Sequence, residues 1–99
     1  MILKKPSIND LFASALEYHQ RGDFQKAKTL YIDILKNDSL HIGANNNLGN
    51  IFIELNNFQK ALYYYQKVLE VDSNHANANN NIGYVYIELN NYSDAIIYF

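Results

Sequence analysis

The chain contains no cysteine, which removes disulfide frameworks, zinc knuckles and thiol nucleophiles from consideration and fits a reducing compartment. Charge is scarce as well. Asp, Glu, Lys and Arg make up 18% of the 99 residues, the net charge is −2, and the basic residues are scattered. No basic stripe of the kind that tracks phosphates is present, which argues against nucleic acid as a partner. The N-terminus lacks a long hydrophobic run: three apolar residues precede Lys4, Lys5 and Pro6, far short of a secretory segment or a membrane span. There is no glycine-rich phosphate loop and no nucleophile–base constellation. The expectation is a soluble, cytoplasmic, non-enzymatic protein with no cofactor, no metal site and no membrane partner.

Hydrophobic residues account for 48% of the chain, too many for compositional disorder. At this length they suffice for one small domain with a modest core. Fifteen residues are asparagine, and two stretches concentrate them. "ANNNLGNIFIELNNFQKA" covers 44–61 and "ANNNIGYVYIELNNYSDA" covers 78–95. They align without gaps at a spacing of 34, which directs a search for further copies. A more diverged copy precedes them, with Ala27, Ala61 and Ala95 in register, as are Phe24, Phe58 and Tyr92, and Tyr31, Tyr65 and Phe99. Gly49 and Gly83 match each other, with Ala15 as the small residue of the first copy. The units so defined are 8–41, 42–75 and 76–99, the third truncated, all in one domain after a tail at 1–7.

Within each unit the apolar period is helical. Leu48, Ile51, Phe52 and Leu55 follow i, i+3, i+4, i+7, and so do Ile82, Val85, Tyr86 and Leu89. Phe58, Ala61, Leu62, Tyr65, Val68 and Leu69 form the stripe of a partner helix. Between the two helices stands Gly22-Asp23, Asn56-Asn57 or Asn90-Asn91. Alternation of Gly with Asn predicts a left-handed residue there, and the Asp or Asn that follows is a good N-cap. The predicted helices span 8–21, 24–36, 42–55, 58–71, 76–89 and 92–99.

A 34-residue helix–turn–helix unit carrying Leu48, Gly49, Phe52, Ala61 and Tyr65, then Ile82, Gly83, Tyr86, Ala95 and Phe99, resembles the tetratricopeptide repeat. In the first unit Ala15, Tyr18, Ala27 and Tyr31 carry the likeness, so it covers 8–99. Two positions depart from the family pattern. The early bulky residue of the first helix is Asn45 or Asn79, and the loop proline is Ser39 or Ser73. The resemblance implies an all-α, right-handed α-solenoid that acts as a protein–protein interaction scaffold, holding an extended peptide or partner helix in the concave groove of its first helices. An alternative is the substrate-recruiting N-terminal repeat region of a larger enzyme, such as a glycosyltransferase or sulfotransferase.

The asparagines fall into separate roles. Asn46, Asn47 and Asn50 project well away from the apolar stripe as a polar band, repeated by Asn80, Asn81 and Tyr84. The resemblance places these six residues along the peptide groove. Asn47 and Asn81 occupy the site that carries an asparagine ladder in the superhelical repeats of O-linked N-acetylglucosamine transferase. An amide offers an acceptor and two donors, so one side chain could bridge a peptide's N–H and C=O. Each such bond nets about 0.5–1.5 kcal/mol, so two rungs alone bind weakly. Asn45 and Asn79 lie beside the apolar stripe, in structural positions. Composition explains part of the excess, because Asn, Ile, Tyr and Lys all have AT-rich codons.

The remaining chemistry-bearing residues read as structural. His41 and His75 sit 34 apart in successive loops, too far apart to share a metal. His19 stands near the groove, within reach of a ligand. Glu54 and Glu88 are repeat equivalents on the groove side, unsuited to paired acid–base work. A carboxylate clamp of the chaperone-binding type is not expected, because its sites hold Phe12, Leu16, Asn77 and Asn81, and only Asn47 matches. The chain stops at Phe99, mid-helix by the register of Tyr65. Repeat stacks usually end in a polar cap, so the chain is expected to be the start of a longer repeat protein. Alone, it is expected to fray after Asn90 and to self-associate through the apolar end formed by Tyr92, Ala95, Ile96 and Phe99.

Overall fold

The computed structural model describes residues 5–98, with residues 91–98 described through the helical backbone alone. Five helices follow one another: α1 (Ile8–Gln20), α2 (Phe24–Asn37), α3 (Ile42–Glu54), α4 (Phe58–Val71) and α5 (Ala76–Tyr98). No strand occurs among the described residues. The chain forms hairpins of α1 with α2 and of α3 with α4, and α2 against α3 and α4 against α5 join the units. The first helices α1, α3 and α5 make one layer; α2 and α4 make the other.

Each boundary has a local cause. Ser7 opens α1 with a capping box, its hydroxyl accepting from Asp10 N at 3.0 Å while Asp10 accepts from Ser7 N at 3.2 Å. Gly22 (φ 80°) and Asn56 (φ 58°) take the left-handed conformation that the Gly/Asn alternation predicts. At the first turn Asp23 N donates to Tyr18 O at 2.9 Å and Gly22 N to His19 O at 3.0 Å. At the second, Asn57 N donates to Phe52 O at 2.8 Å and Asn56 N to Ile53 O at 2.9 Å, the paired bonds of a Schellman ending. Asp23 and Asn57 then cap α2 and α4 by accepting from Lys26 N and Lys60 N.

The third turn does not form. The sequence predicts a break at Asn90–Asn91, but α5 continues through both residues to Tyr98. A left-handed residue is stabilised by the packing of the helix that returns after it. Continuing the helix instead adds one backbone hydrogen bond per residue. The side chains of Tyr92, Ala95, Ile96 and Phe99, on which the expected apolar end rests, lie outside the described residues.

The core follows the predicted stripes except at Leu55 and Tyr86, which are about half exposed. Tyr31, Ile34, Leu48, Ile51, Tyr65 and Val68 are fully buried, with Ala15, Ala27, Ala44, Ala61 and Ala78 at the close helix approaches. Burying a side chain of Leu or Ile size contributes about 1.5–3 kcal/mol, against about 1 kcal/mol for a cap, so the stripes dominate. Gly49 has a steric reason. A Cβ there would stand 2.5 Å from the Tyr65 ring, so the ring occupies the space that any larger residue needs.

Asn45 and Asn79 tie the loops between units. Asn45 is buried at 1% exposure, and its Nδ2 donates to Ser39 O at 3.1 Å and His41 O at 3.0 Å. Asn79 repeats this on Ser73 O and His75 O, both at 3.1 Å. The side-chain amide thus closes a loop that lacks proline. The loop histidines are more than surface residues: Nδ1 of His41 accepts from Ala44 N at 3.0 Å and Nδ1 of His75 from Ala78 N at 3.1 Å. Each imidazole meets one of the unsatisfied N–H groups at a helix start.

Candidate functional site

Between α3 and α5, on the first-helix layer, lies an open hollow of about 510 Å³ lined by Asn50, Ile53, Glu54, Asn81 and Tyr84. Three of the six predicted groove residues, Asn50, Asn81 and Tyr84, therefore meet at one place. Helical spacing positions them. Asn50, Ile53 and Glu54 follow i, i+3, i+4 on α3, and Asn81 and Tyr84 follow i, i+3 on α5.

A hydrogen-bonded chain runs beneath the hollow. Tyr65, on α4, donates its hydroxyl to Asn50 Oδ1 at 2.5 Å. Asn81 Nδ2 donates to the same oxygen at 3.0 Å and to Asn77 Oδ1 at 2.7 Å. Asn50 thus spends its carbonyl on the protein, and Asn81 spends its amino group. Among the described residues nothing engages Asn50 Nδ2 or Asn81 Oδ1, so two donors and an acceptor remain, on different asparagines from consecutive units. Burial drives the Tyr65 hydroxyl far above its ordinary range, opposed in part by the Asn81 amide. It stays a donor at any physiological pH.

The preceding junction repeats the design with different partners. Asn47 Nδ2 donates to the Tyr31 hydroxyl at 3.2 Å, and that hydroxyl lies 3.3 Å from His19 Nδ1. The tautomer of His19 sets which of the two donates across that contact. Burial lowers the affinity of His19 for a second proton, with the Glu54 carboxylate opposing. Burial raises Tyr31 in turn, and the Asn47 hydrogen bond opposes it.

The other predicted groove residues are placed less favourably. Asn46 is half-buried, and its Oδ1 is buried with no hydrogen-bond partner among the described residues, so a peptide cannot reach that acceptor. Asn47 is half-buried and committed to Tyr31, and Asn80 is exposed. Ile53 and Glu54 line the hollow beside the predicted residues. Glu54 was already expected on the groove side, and position alone would have found Ile53, since both lie on the Asn50 face of α3. The tyrosine hydroxyls were not foreseeable, because an apolar pattern reports where a ring is buried and not where its hydroxyl ends. A second hollow, of about 300 Å³, lies on the opposite layer between α2 and α4, bounded by Ile32, Leu35, Tyr63, Tyr64 and Lys67 among others.

Two family models, each described as tetratricopeptide repeat, match the chain, one over residues 44–75 and the other over 64–97. Together they cover more than half of it. The chain belongs to the tetratricopeptide repeat family. Repeats of this family are in general protein–protein interaction modules, and an all-helical array of hairpins is the architecture they build. No curated protein matches the chain. Among the described residues, no group of three or more His, Asp or Glu is placed to hold a metal, and no helix is long and apolar enough to cross a membrane.

Proposed function

We propose that this repeat protein binds an extended peptide segment of a protein partner along its first-helix layer, with the hollow between α3 and α5 as the principal grip. One observation carries this reading. Asn50 Nδ2 and Asn81 Oδ1 lack partners among the described residues, yet Asn50 is held by Tyr65 and Asn81 by Asn50 and Asn77. An extended segment presents C=O and N–H groups at alternating positions. It accepts from Asn50 Nδ2 and donates to Asn81 Oδ1, so two asparagines share the grip that a single amide would otherwise make alone. The side chains are already ordered by the bonds beneath them, which lowers the entropy cost of binding. Tyr84, 46% exposed, adds a flat apolar surface beside the polar pair.

Two main-chain bonds at about 0.5–1.5 kcal/mol each fall short of a micromolar complex, which requires about 8 kcal/mol. The rest comes from side-chain contacts on Tyr84 and Ile53 and from polar groups further along α1 and α3. Binding of a panel of synthetic extended peptides to the 99-residue chain, followed by fluorescence polarisation, tests the proposal. Peptides that bind the parent chain should bind Asn50→Ala and Asn81→Ala several-fold more weakly. Equal binding to all three proteins would remove the role assigned to the asparagines.

A further inference from the structure

The charges of the chain are divided between its two layers. The first helices α1, α3 and α5 contain five carboxylates and no lysine or arginine, whereas α2 and α4 contain five lysines and only two carboxylates. The second-helix lysines are also occupied. Lys28 and Lys60 lie 5.7 and 5.3 Å from the centre of the Phe52 ring, Lys26 lies 5.3 Å from that of Tyr18, and Lys67 lies 5.5 Å from that of Tyr63. Lys36 pairs with Asp33 at 3.9 Å. No cation of the second layer turns toward the hollow between α3 and α5.

The first-helix carboxylates are not equivalent. Asp10 serves the α1 capping box, and Glu17 pairs with Arg21 at 2.6 Å. Glu54 and Glu88 make no ion pair among the described residues. Glu54 is exposed and lines the hollow beside Asn50, Asn81, Ile53 and Tyr84. Burial disfavours the cationic form of its nearby imidazole, His19, which works against that ring cancelling the carboxylate. A cation entering a hollow lined by a carboxylate and a phenol ring is attracted by the carboxylate charge and, over the ring face, by the ring quadrupole. The Ile53 side chain offers apolar contact to the methylene stem that carries such a cation.

Resting on the peptide-groove reading above, we infer that the bound segment carries a lysine or arginine side chain seated between Glu54 and Tyr84. Asn50 and Asn81 hold the main chain, and Glu54 selects the side chain. Acidic segments and free C-terminal carboxylates are turned away by the same charge. The specificity is therefore for basic, extended peptide.

A positional peptide set tests this: one neutral Ser/Ala/Thr background with Lys, Arg, Ala or Glu placed at each position in turn. Binding is measured to the parent chain, Glu54→Gln, Glu54→Lys and Asn50→Ala, with circular dichroism as a folding control. Glu54 is exposed, so its variants fold. At one position Lys or Arg should bind the parent about tenfold tighter than Glu, roughly threefold from attraction and threefold from relieved repulsion, the scale of partly exposed ion pairs. That preference should shrink to about twofold in Glu54→Gln and invert in Glu54→Lys, whereas Asn50→Ala should weaken all peptides alike. If peptides bind and Asn50→Ala weakens them, but no basic preference exists or Glu54→Gln leaves it intact, the assignment of Glu54 is wrong and the groove stands. If no peptide of the set binds, both the groove reading and this inference are overturned.

Discussion

Asn81 of α5 donates its amide to Asn50 Oδ1 of α3 at 3.0 Å, across the boundary between two units, and the Tyr65 hydroxyl of α4 donates to the same oxygen. One carbonyl therefore joins three helices. Replacing Asn50 by alanine leaves the buried Tyr65 hydroxyl without its acceptor, a cost of about 1–3 kcal/mol, offset by up to about 0.7 kcal/mol of helix propensity. Urea denaturation should show Asn50→Ala destabilised by about 1–2 kcal/mol, and Asn81→Ala by less, because its loss leaves the bond from Tyr65 to Asn50 in place. Equal stability of Asn50→Ala and the parent would show that the bond to Tyr65 contributes nothing.

Gly49→Ala tests the packing of the second unit. In an exposed helix this change stabilises by up to about 1 kcal/mol. Here the new methyl would meet the fully buried Tyr65 ring at 2.5 Å, and overpacking of this kind costs about 1–3 kcal/mol. A lower melting temperature is expected. A rise would mean that the ring yields freely.

Asn45 and Asn79 make the same two bonds in different surroundings. Asn45 is buried and Asn79 is exposed, so water can replace the lost donor at only one of them. Asn45→Ala should cost about 1–3 kcal/mol and Asn79→Ala well under 1 kcal/mol. Thermal denaturation of the two single variants measures the difference. Equal losses would show that burial does not set the strength of the loop clasp.

The pH dependence follows from His19. Its folded-state pKa lies below the ordinary value of 6.5 because burial disfavours the cation. Between the two values the unfolded chain binds more protons than the folded one, so stability rises with pH there. The contribution is fully present above about pH 6.5 and is lost as pH falls through the folded value. His19→Gln should flatten the slope of melting temperature between about pH 5 and 7. An unchanged slope would place the titration at another residue.

The solenoid was legible because the units repeat an apolar stripe, a Gly or Asn followed by an N-capping residue, and a small residue in matching register. Four predicted helices agree with α1–α4 to within a residue at either end. The straight passage through Asn90 and Asn91 was not legible. Asn56 and Asn90 have identical local chemistry, and the packing of α4 after Asn56 is what decides between turn and helix. At the site, the position of Asn50, Asn81 and Tyr84 on one face followed from the helical period. Which half of each amide stays free did not, since that depends on the Tyr65 hydroxyl arriving from another helix. His41 and His75, loop histidines 34 residues apart, gave no sign of a capping role because histidine is not among the favoured N-caps. Their shared register, three residues before Ala44 and Ala78, was the available signal.

In the proposed complex a peptide sits on the first-helix layer at Asn50 and Asn81. Titrating the tightest-binding member of the peptide set into ¹⁵N-labelled protein, and following the side-chain amide resonances of asparagine, tests it most directly. The amide pairs of Asn50 and Asn81 should shift first, together with backbone amides of α3 and α5, while the hollow bounded by Ile32, Leu35 and Tyr63 on the opposite layer stays silent. Shifts confined to α2 and α4, with the amides of Asn50 and Asn81 unmoved at saturation, would contradict it.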